Sequence, residues 1–377
     1  MDGLKEYMDK RVSFSEAVAH IKSNQTIGVA MAASEPVGLL EELGRHKDRL
    51  ENVTLWTCLP MRAYDIFMQP EMEGHFFNEN WFYGGFDRKV HAEGRVSYTP
   101  NNLHRAATDK LFATKNHLDV FIGTATPPDK RGFMSLSLGI VIEKELIAAA
   151  DLVILEINEN LPWTYGDTQI HISEIDYVVE NTSPIVQLPS EAPTEIEQLI
   201  GGHIASLIKD GATLQLGIGG IPNAITSFLQ ERKDLGLHTE MFIDGMVDLY
   251  EAGVVNNRKK TLHPGKMVAT FAMGTQKLYD FLDRNVSVEI LRGRYVNDPY
   301  VIARNKNMIS VNTAIQVDIM GQVCSQSLGT RHFSGTGGQL DTHRGAQMSE
   351  GGRGIIALRS TAKNGTISTI VPTLAPG

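Results

Sequence analysis

The sequence predicts an α/β protein made of two domains, each an open and mostly parallel sheet covered by helices. Three observations predict it. Seven short apolar runs recur with helical stretches between them: "TIGVAMAA", "VTLWTCL", "DVFIGTA", "DLVILEI", "TLQLGI", "MVATFA" and "GIIAL". Such alternation of strand and helix patterns marks the α/β class. Several runs lack every-other-residue polarity, as strands covered on both faces do in a parallel sheet. Finally, 377 residues exceed what one compact core usually holds.

Taken in order, "TIGVAMAASEPVGLLEELGRHKDRLENVTLWTCL" reads as strand, small-residue turn, Pro36, helix and strand. "DVFIGTA" and "DLVILEI" continue the first sheet. The stretch "ENTSPIVQLPSEAPTEIEQ" then carries Pro184, Pro189 and Pro193, which disfavours regular structure and places a domain junction near residue 190. The two domains are therefore expected at 1–190 and 191–377. A helix opens the second: Thr194 and Glu197 have capping-box spacing, and Ile196, Leu199, Ile200, Ile204, Leu207 and Ile208 form one apolar face, with Gly211 as its stop. "TLQLGIGGIPNAITSFLQERKDLGLHTEMFIDG" repeats the strand–turn–proline–helix–strand order, with Pro222 in the place of Pro36. Counting forward from each proline sets Glu240 opposite Thr54, so related topologies are expected for the two halves. The first half then keeps a polar residue where the second has a carboxylate.

Bulk properties exclude several function classes. A net charge of −9 argues against a general binder of nucleic acid or anionic membrane. Cys58 and Cys324 stand in unrelated apolar contexts, so no disulfide framework or thiolate metal site is expected and a reducing compartment fits. "MDGLKEYMDKRVSF" has no apolar core and does not read as a secretory signal, and the apolar runs are too short to span a membrane. A cytoplasmic location is expected.

Within "LGLHTEMFIDGM", Glu240 interrupts what otherwise reads as a short buried strand, and an unpaired buried carboxylate costs several kcal/mol. A structural acid and a nucleophile are both open readings of it. "GIGGIPNAI" follows a strand and opens a helix, so Gly217, Gly219 and Gly220 form a cradle of backbone N–H groups. It is neither a dinucleotide fingerprint, since Pro222 replaces the last glycine, nor a Walker loop, since the lysine is missing. "FSGTGGQLD" and "EGGRGIIAL" are two more glycine-dense turns, expected with the first at the carboxyl ends of the strands. "NNRKKTLHPGK" concentrates Arg258, Lys259, Lys260 and Lys266, which reads either as a solvated loop or as a phosphate contact. Lys363 in "STAKNG" is also within reach of an anion. The twelve histidines supply no metal-binding spacing, and no nucleophile elbow is present. With serine, cysteine and metal routes unsupported, a carboxylate nucleophile is worth weighing beside a structural role for Glu240.

The chain resembles the acetyl-CoA hydrolase/transferase family, and within it the 4-hydroxybutyrate and butyryl-CoA:acetate CoA-transferases. The ordered motifs "ASEP", "GGFDRK", "EGRVSYTP", "TPPDKRGFMSLSLG", "LPWTYGDTQIHISEIDYVVE", "GIGGIPNAI", "HTEMFIDG", "KKTLHPGKMVATFAMG", "FSGTGGQLD" and "STAKNG" carry the likeness nearly end to end. The resemblance implies a CoA-transferase-like fold of two related α/β domains and a catalytic Glu240 that forms a glutamyl-CoA thioester. It further implies CoA contacts at Gly217, Ile218, Gly219, Gly220 and Ile221, at Gly338, at Lys363, and at Ile315 within "VNTAIQVD". Coenzyme A and acyl-CoA are then substrates, exchanged with short-chain carboxylates such as acetate, with no metal and no tightly bound cofactor. A homodimer or higher homo-oligomer is the family expectation. A hydrolase using the same glutamate, and a non-catalytic CoA-binding module, are the competing readings. Three stretches depart from relatives. "VAMAASEP" lacks a histidine or glycine common in that region, "NENWFYGG" is bulkier and would reshape the acyl pocket or an interface, and the chain stops at "PTLAPG" where members usually continue.

Overall fold

The computed structural model describes residues 3–375. Contacts divide the chain into two compact units. One holds the chain through Asn101, then Arg105–Val186 and Leu282–Asn285; the other holds Asn102–His104, Gln187–Phe281 and the chain from Val286 onward.

The first unit is a seven-stranded sheet. Its order is Val96–Tyr98, Phe76–Asn80, Val53–Thr57, Thr26–Val29, Leu118–Ala125, Ala150–Ile157 and Tyr177–Glu180. Every neighbouring pair is parallel. The central strands are therefore covered on both faces, which explains why their sequences run apolar without alternation. Leu39, Leu40 and Leu43 of the helix Val37–Arg45 pack into one core with Ile27, Leu55, Val120, Ile122 and Ile154. Each such leucine contributes roughly 1.5–3 kcal/mol by leaving water.

Three of its strands, Val96–Tyr98, Phe76–Asn80 and Tyr177–Glu180, escaped the pattern reading. Phe76–Asn80 places Asn78 and Asn80 inside, where Thr57 Oγ1 donates to Asn78 Oδ1 at 2.6 Å. Tertiary hydrogen bonds make those polar positions tolerable, and no local signal announces them. Three buried carboxyls pin the loops beside the sheet. Glu143 accepts from Met31 N–H, Glu156 from Leu39 N–H and Glu35 from Met61 N–H.

The second unit has a four-stranded parallel sheet: Gly236–Leu237, Thr213–Leu216, Met308–Thr313 and Arg353–Ala357. Met308–Thr313 is likewise absent from the pattern reading. Two parallel strand pairs extend the unit, Met241–Phe242 with Phe271–Ala272 and Met267–Ala269 with Val288–Ile290. The single strand expected in "MVATFA" is thus broken at Thr270.

Three local expectations need correction. The capping box forms, with Thr194 N–H donating to Glu197 Oε2 at 2.8 Å and Glu197 N–H to Thr194 Oγ1. Yet only part of the expected apolar face is buried, for Ile196, Leu199 and Leu207 are exposed. The helix Glu195–Leu207 instead approaches Gly220–Phe228 through small residues. A Cβ on Gly201 would lie 2.7 Å from that of Ala224, so this contact, rather than the leucines, sets which side faces inward. Gly211, at φ +77°, serves the turn into Thr213–Leu216, because the helix already ends at Leu207.

The third correction concerns the echo between halves. Thr26 and Thr213 open equivalent strands; Thr26 pairs with Thr54, whereas Thr213 pairs with Gly236. Gly236 therefore takes the place of Thr54, and Glu240 falls four residues later. Pro36 stands just before its helix, Val37–Arg45, whereas Pro222 is the third residue of Gly220–Phe228, so counting from the prolines slips. The consequence is functional: Glu240 lies beyond the carboxyl end of its strand, where open α/β sheets place ligands. Among the described residues, no helix is long and apolar enough to cross a membrane.

Candidate active site

The backbone around Glu240 is fixed by a change of partners. His238 N–H donates to Leu214 carbonyl at 3.0 Å, and Thr239 N–H to Val268 carbonyl at 2.9 Å. The Glu240 carbonyl then accepts from both Thr270 and Phe271 N–H. Three successive residues are thus anchored to two segments, one at Leu214 and one at 268–271, and little freedom remains to the Cα of Glu240.

The side chain is held as firmly. His238 is fully buried, and burial depresses its imidazole to about 3, so the ring is neutral. Neutral Nε2–H donates to the Val296 carbonyl at 2.8 Å. The next residue, Asn297, is 0% exposed and donates its Nδ2 to Glu240 Oε2 at 2.6 Å. Gly338, the residue before the helix Gln339–Met348, supplies a backbone N–H to the same carboxylate. A side chain at 338 has no room, since its Cβ would lie 1.8 Å from Glu240 Oε2 and 2.0 Å from Asn297 Nδ2. Desolvation pushes the Glu240 carboxyl up to about 7. The Asn297 bond and the Gly338 N–H pull it back, and the nearby Asp341 charge adds to the rise. The result is a carboxylate poised to ionise near neutral pH and held by two neutral N–H donors.

The expected cradle lies at the end of Thr213–Leu216. Gly217 N–H continues the sheet by donating to Val311 carbonyl at 2.9 Å, and Gly219, at φ +106°, turns the chain into the helix Gly220–Phe228. Only glycine takes that angle without strain. Ile218 is exposed on the turn and Ile221 is buried beneath it. A buried polar network supports this arrangement. Ser310 Oγ donates to Gln215 Oε1 at 2.6 Å, and Asn312 Nδ2 reaches Thr342 Oγ1 at 3.0 Å. The strand that launches the Gly217 turn and the helix that follows Gly338 thus share one rigid reference.

Structure therefore brings Gly338 directly against Glu240 and ties Gly217–Ile221 to the same helix through the polar network. Ile315 donates its N–H to Cys324 carbonyl at 2.9 Å just past Met308–Thr313. Lys363, at φ +46°, is exposed in the turn joining Thr361–Ala362 to Ile367–Ser368 and takes no part in the hydrogen bonds around Glu240. The "EGGRG" turn precedes the strand Arg353–Ala357, so it lies at the amino ends of the parallel strands, away from Gly217 at their carboxyl ends, and does not join the site. The basic stretch divides. Arg258 and Lys259 are exposed, but Lys260 is buried and donates to the Leu237 and Lys266 carbonyls, both at 2.7 Å. Burial lowers its ammonium to about 7, so it is an internal strut and not an anion contact. Sequence reasoning missed Asn297, Gln215, Ser310 and Asn312. Polar residues inside "TLQL" and "MISVN" were an available signal, whereas nothing local distinguishes Asn297.

Comparison with known proteins places these features in context. The N-terminal domain of acetyl-CoA hydrolase/transferase matches residues 1–188, and its C-terminal domain matches residues 274–377. The 4-hydroxybutyrate coenzyme A transferase of Clostridium kluyveri is 44% identical over 98% of this chain and 86% of its own length. The butyryl-CoA:acetate CoA-transferase of Anaerostipes caccae is 34% identical over 99% and 85%. The crystal structure of a 4-hydroxybutyrate CoA-transferase from Porphyromonas gingivalis superposes with a TM-score of 0.84 at 35% identity, covering 99% of this chain and 87% of that one.

Proposed function

This chain belongs to the acetyl-CoA hydrolase/transferase family and is an enzyme of the CoA-transferase type, and we propose that it exchanges coenzyme A between short-chain acyl groups through a covalent thioester on Glu240. The donors are butyryl-CoA or 4-hydroxybutyryl-CoA and the acceptor is acetate, by analogy with the relatives' substrates. The observation that carries this reading is a carboxylate held by Asn297 Nδ2 and the Gly338 N–H where no side chain fits.

Ionised Glu240 adds to the thioester carbonyl of the donor. A C–O bond forms, the C–S bond breaks, and CoA leaves as the thiolate, giving an acyl–glutamyl anhydride. The thiolate then adds to the γ-carbonyl of Glu240 and expels the donor as its free carboxylate. Acetate reverses both steps: it attacks the glutamyl thioester, and the released thiolate takes the acetyl group. Thioester energy is conserved throughout.

During the steps at the γ-carbonyl, negative charge develops on the oxygen that faces Asn297 and Gly338. Two N–H donors already aimed there act as an oxyanion hole, each worth about 3 kcal/mol. Neutral donors suit this role because they do not quench the nucleophile in the preceding step. The N–H groups of Gly217–Gly220 are the corresponding donors for the substrate carbonyl. CoA contacts at Ile221, Ile315 and Lys363 complete the reading.

Borohydride reduction after incubation with acyl-CoA tests it. The expected product is an alcohol at Glu240 in place of the acid, seen by peptide mass and absent without acyl-CoA. Retention of intact Glu240 while acyl transfer proceeds refutes the covalent step. Partition of labelled acyl groups between acetate and water separates transfer from hydrolysis, and loss to water at saturating acetate assigns the chain to hydrolysis.

A further inference from the structure

Asp341 is 2% exposed, and both its oxygens are occupied by one residue. His104 donates its backbone N–H to Oδ2 at 3.0 Å and pairs its Nδ1 with Oδ1 at 2.9 Å. The segment Asn102–His104 belongs to the second unit, although the first unit flanks it in sequence. Asp341 lies in the first turn of the helix Gln339–Met348, three residues after the Gly338 that touches Glu240.

We propose that His104 and Asp341 are positioning residues of the reaction: the imidazole compensates the Asp341 charge and so sets how readily Glu240 ionises. The inference rests on Glu240 being the reacting carboxylate. Elements packed around Glu240 present Asn297, Gly338, Thr270 and Phe271, none of them charged, and among the described residues Asp341 is the charge that bears on the carboxyl. A carboxylate this buried repels a second one effectively, because little water screens the interaction. With its ring protonated, His104 offsets that repulsion, and its backbone and ring contacts together fix the helix turn from which Gly338 reaches Glu240. Arg105, beside His104, is paired with Asp109 at 2.7 Å and lies in the other unit's sequence.

The alternative is a purely architectural pair, and two substitutions distinguish it by sign. Asp341→Asn removes the repelling charge at nearly constant shape. His104→Asn keeps an N–H near the position of Nδ1 and removes the protonatable ring. The readout is the acidic limb of the kcat/KM profile against pH for acyl transfer to acetate. Asp341→Asn is expected to move that limb down by about one pH unit and His104→Asn to move it up by a similar amount. Shifts in the same direction, or none, overturn the proposal, since damage to packing lowers rates without opposite displacements of the limb. Asp341→Asn alone suffices if the histidine variant does not fold: an unmoved or raised limb is then decisive against it. Glu240→Gln, run alongside, separates the two levels. Full turnover in that variant defeats the covalent reading itself, whereas an inactive Glu240→Gln with unmoved limbs defeats only the tuning pair.

Discussion

Gly338→Ala is the most exacting perturbation because the backbone itself accepts alanine. Gly338 adopts φ −94° and ψ 12°, open to any residue, so the substitution adds a methyl without demanding a new fold. That methyl would lie 1.8 Å from Glu240 Oε2 and 2.0 Å from Asn297 Nδ2. Non-bonded contacts of this kind settle above about 3 Å, so the carboxylate has to withdraw by about 1 Å. Its backbone cannot follow, because Thr270 and Phe271 N–H hold the Glu240 carbonyl. Side-chain rotation is the remaining escape, and it breaks the 2.6 Å bond to Asn297. A hydrogen bond to a charged group is worth about 1.5–3 kcal/mol, and a misplacement of about 1 Å costs roughly a hundredfold in rate. Steady-state transfer from acyl-CoA to acetate should therefore slow by two to three orders of magnitude, roughly, while unfolding free energy falls by no more than about 3 kcal/mol. Single-turnover borohydride trapping should lose its adduct in parallel. A variant that transfers within about threefold of the parent, with full adduct yield, would refute the claim that this glycine exists to seat the carboxylate.

Four further outcomes follow from the same geometry. Asn297→Ala removes one oxyanion donor and should lower kcat about 10–100-fold with a smaller effect on KM, and a pure KM effect would contradict its placement. Because desolvation raises Glu240 to about 7, kcat/KM should fall about tenfold per pH unit below that value, as the proposed nucleophile takes up a proton; a limb near 4.5 would deny the shift. Glu35 is pushed by burial to about 8, so its stabilising contribution is full below the ordinary 4.5 and is lost as pH rises through 8. Glu35→Gln keeps an oxygen to accept from Met61 N–H and offers an amide N–H to the Tyr64 oxygen but cannot ionise, so its urea stability relative to the parent should improve from about pH 5 to about pH 9, and an advantage that shrinks with pH would be contrary. Lys363→Ala should raise KM for acyl-CoA and leave kcat unchanged if Lys363 meets coenzyme A; an equal loss in both would exclude a simple binding role.

Local chemistry determined much of this protein before any contact was known. Apolar runs without alternation specified parallel strands, because a strand covered on both faces has no solvent side to mark. Thr194 and Glu197 announced their capping box, since its partners are three residues apart. The glycines of "GIGGIPNAI" declared a turn that only glycine can make, and Glu240 stood out as a carboxylate in apolar company. Ordered motifs carried the family.

What the tertiary structure decided is everything that depends on atoms distant in sequence. Asn297 follows Glu240 by 57 positions, and no periodicity brings them together, yet their hydrogen bond defines the site. Gly338 reads as a turn residue until the carboxylate is seen filling the space of its missing side chain. Lys260 looked like a surface cation and is an internal strut, because sequence reports charge but not depth. The place of Glu240 past its strand also came only from the sheet register, which proline counting missed by four residues. Secondary structure is encoded by neighbours within a few residues and can be read from them. A reacting group's basicity and aim are set by desolvation and by donors on other segments, and those exist only once the chain has folded.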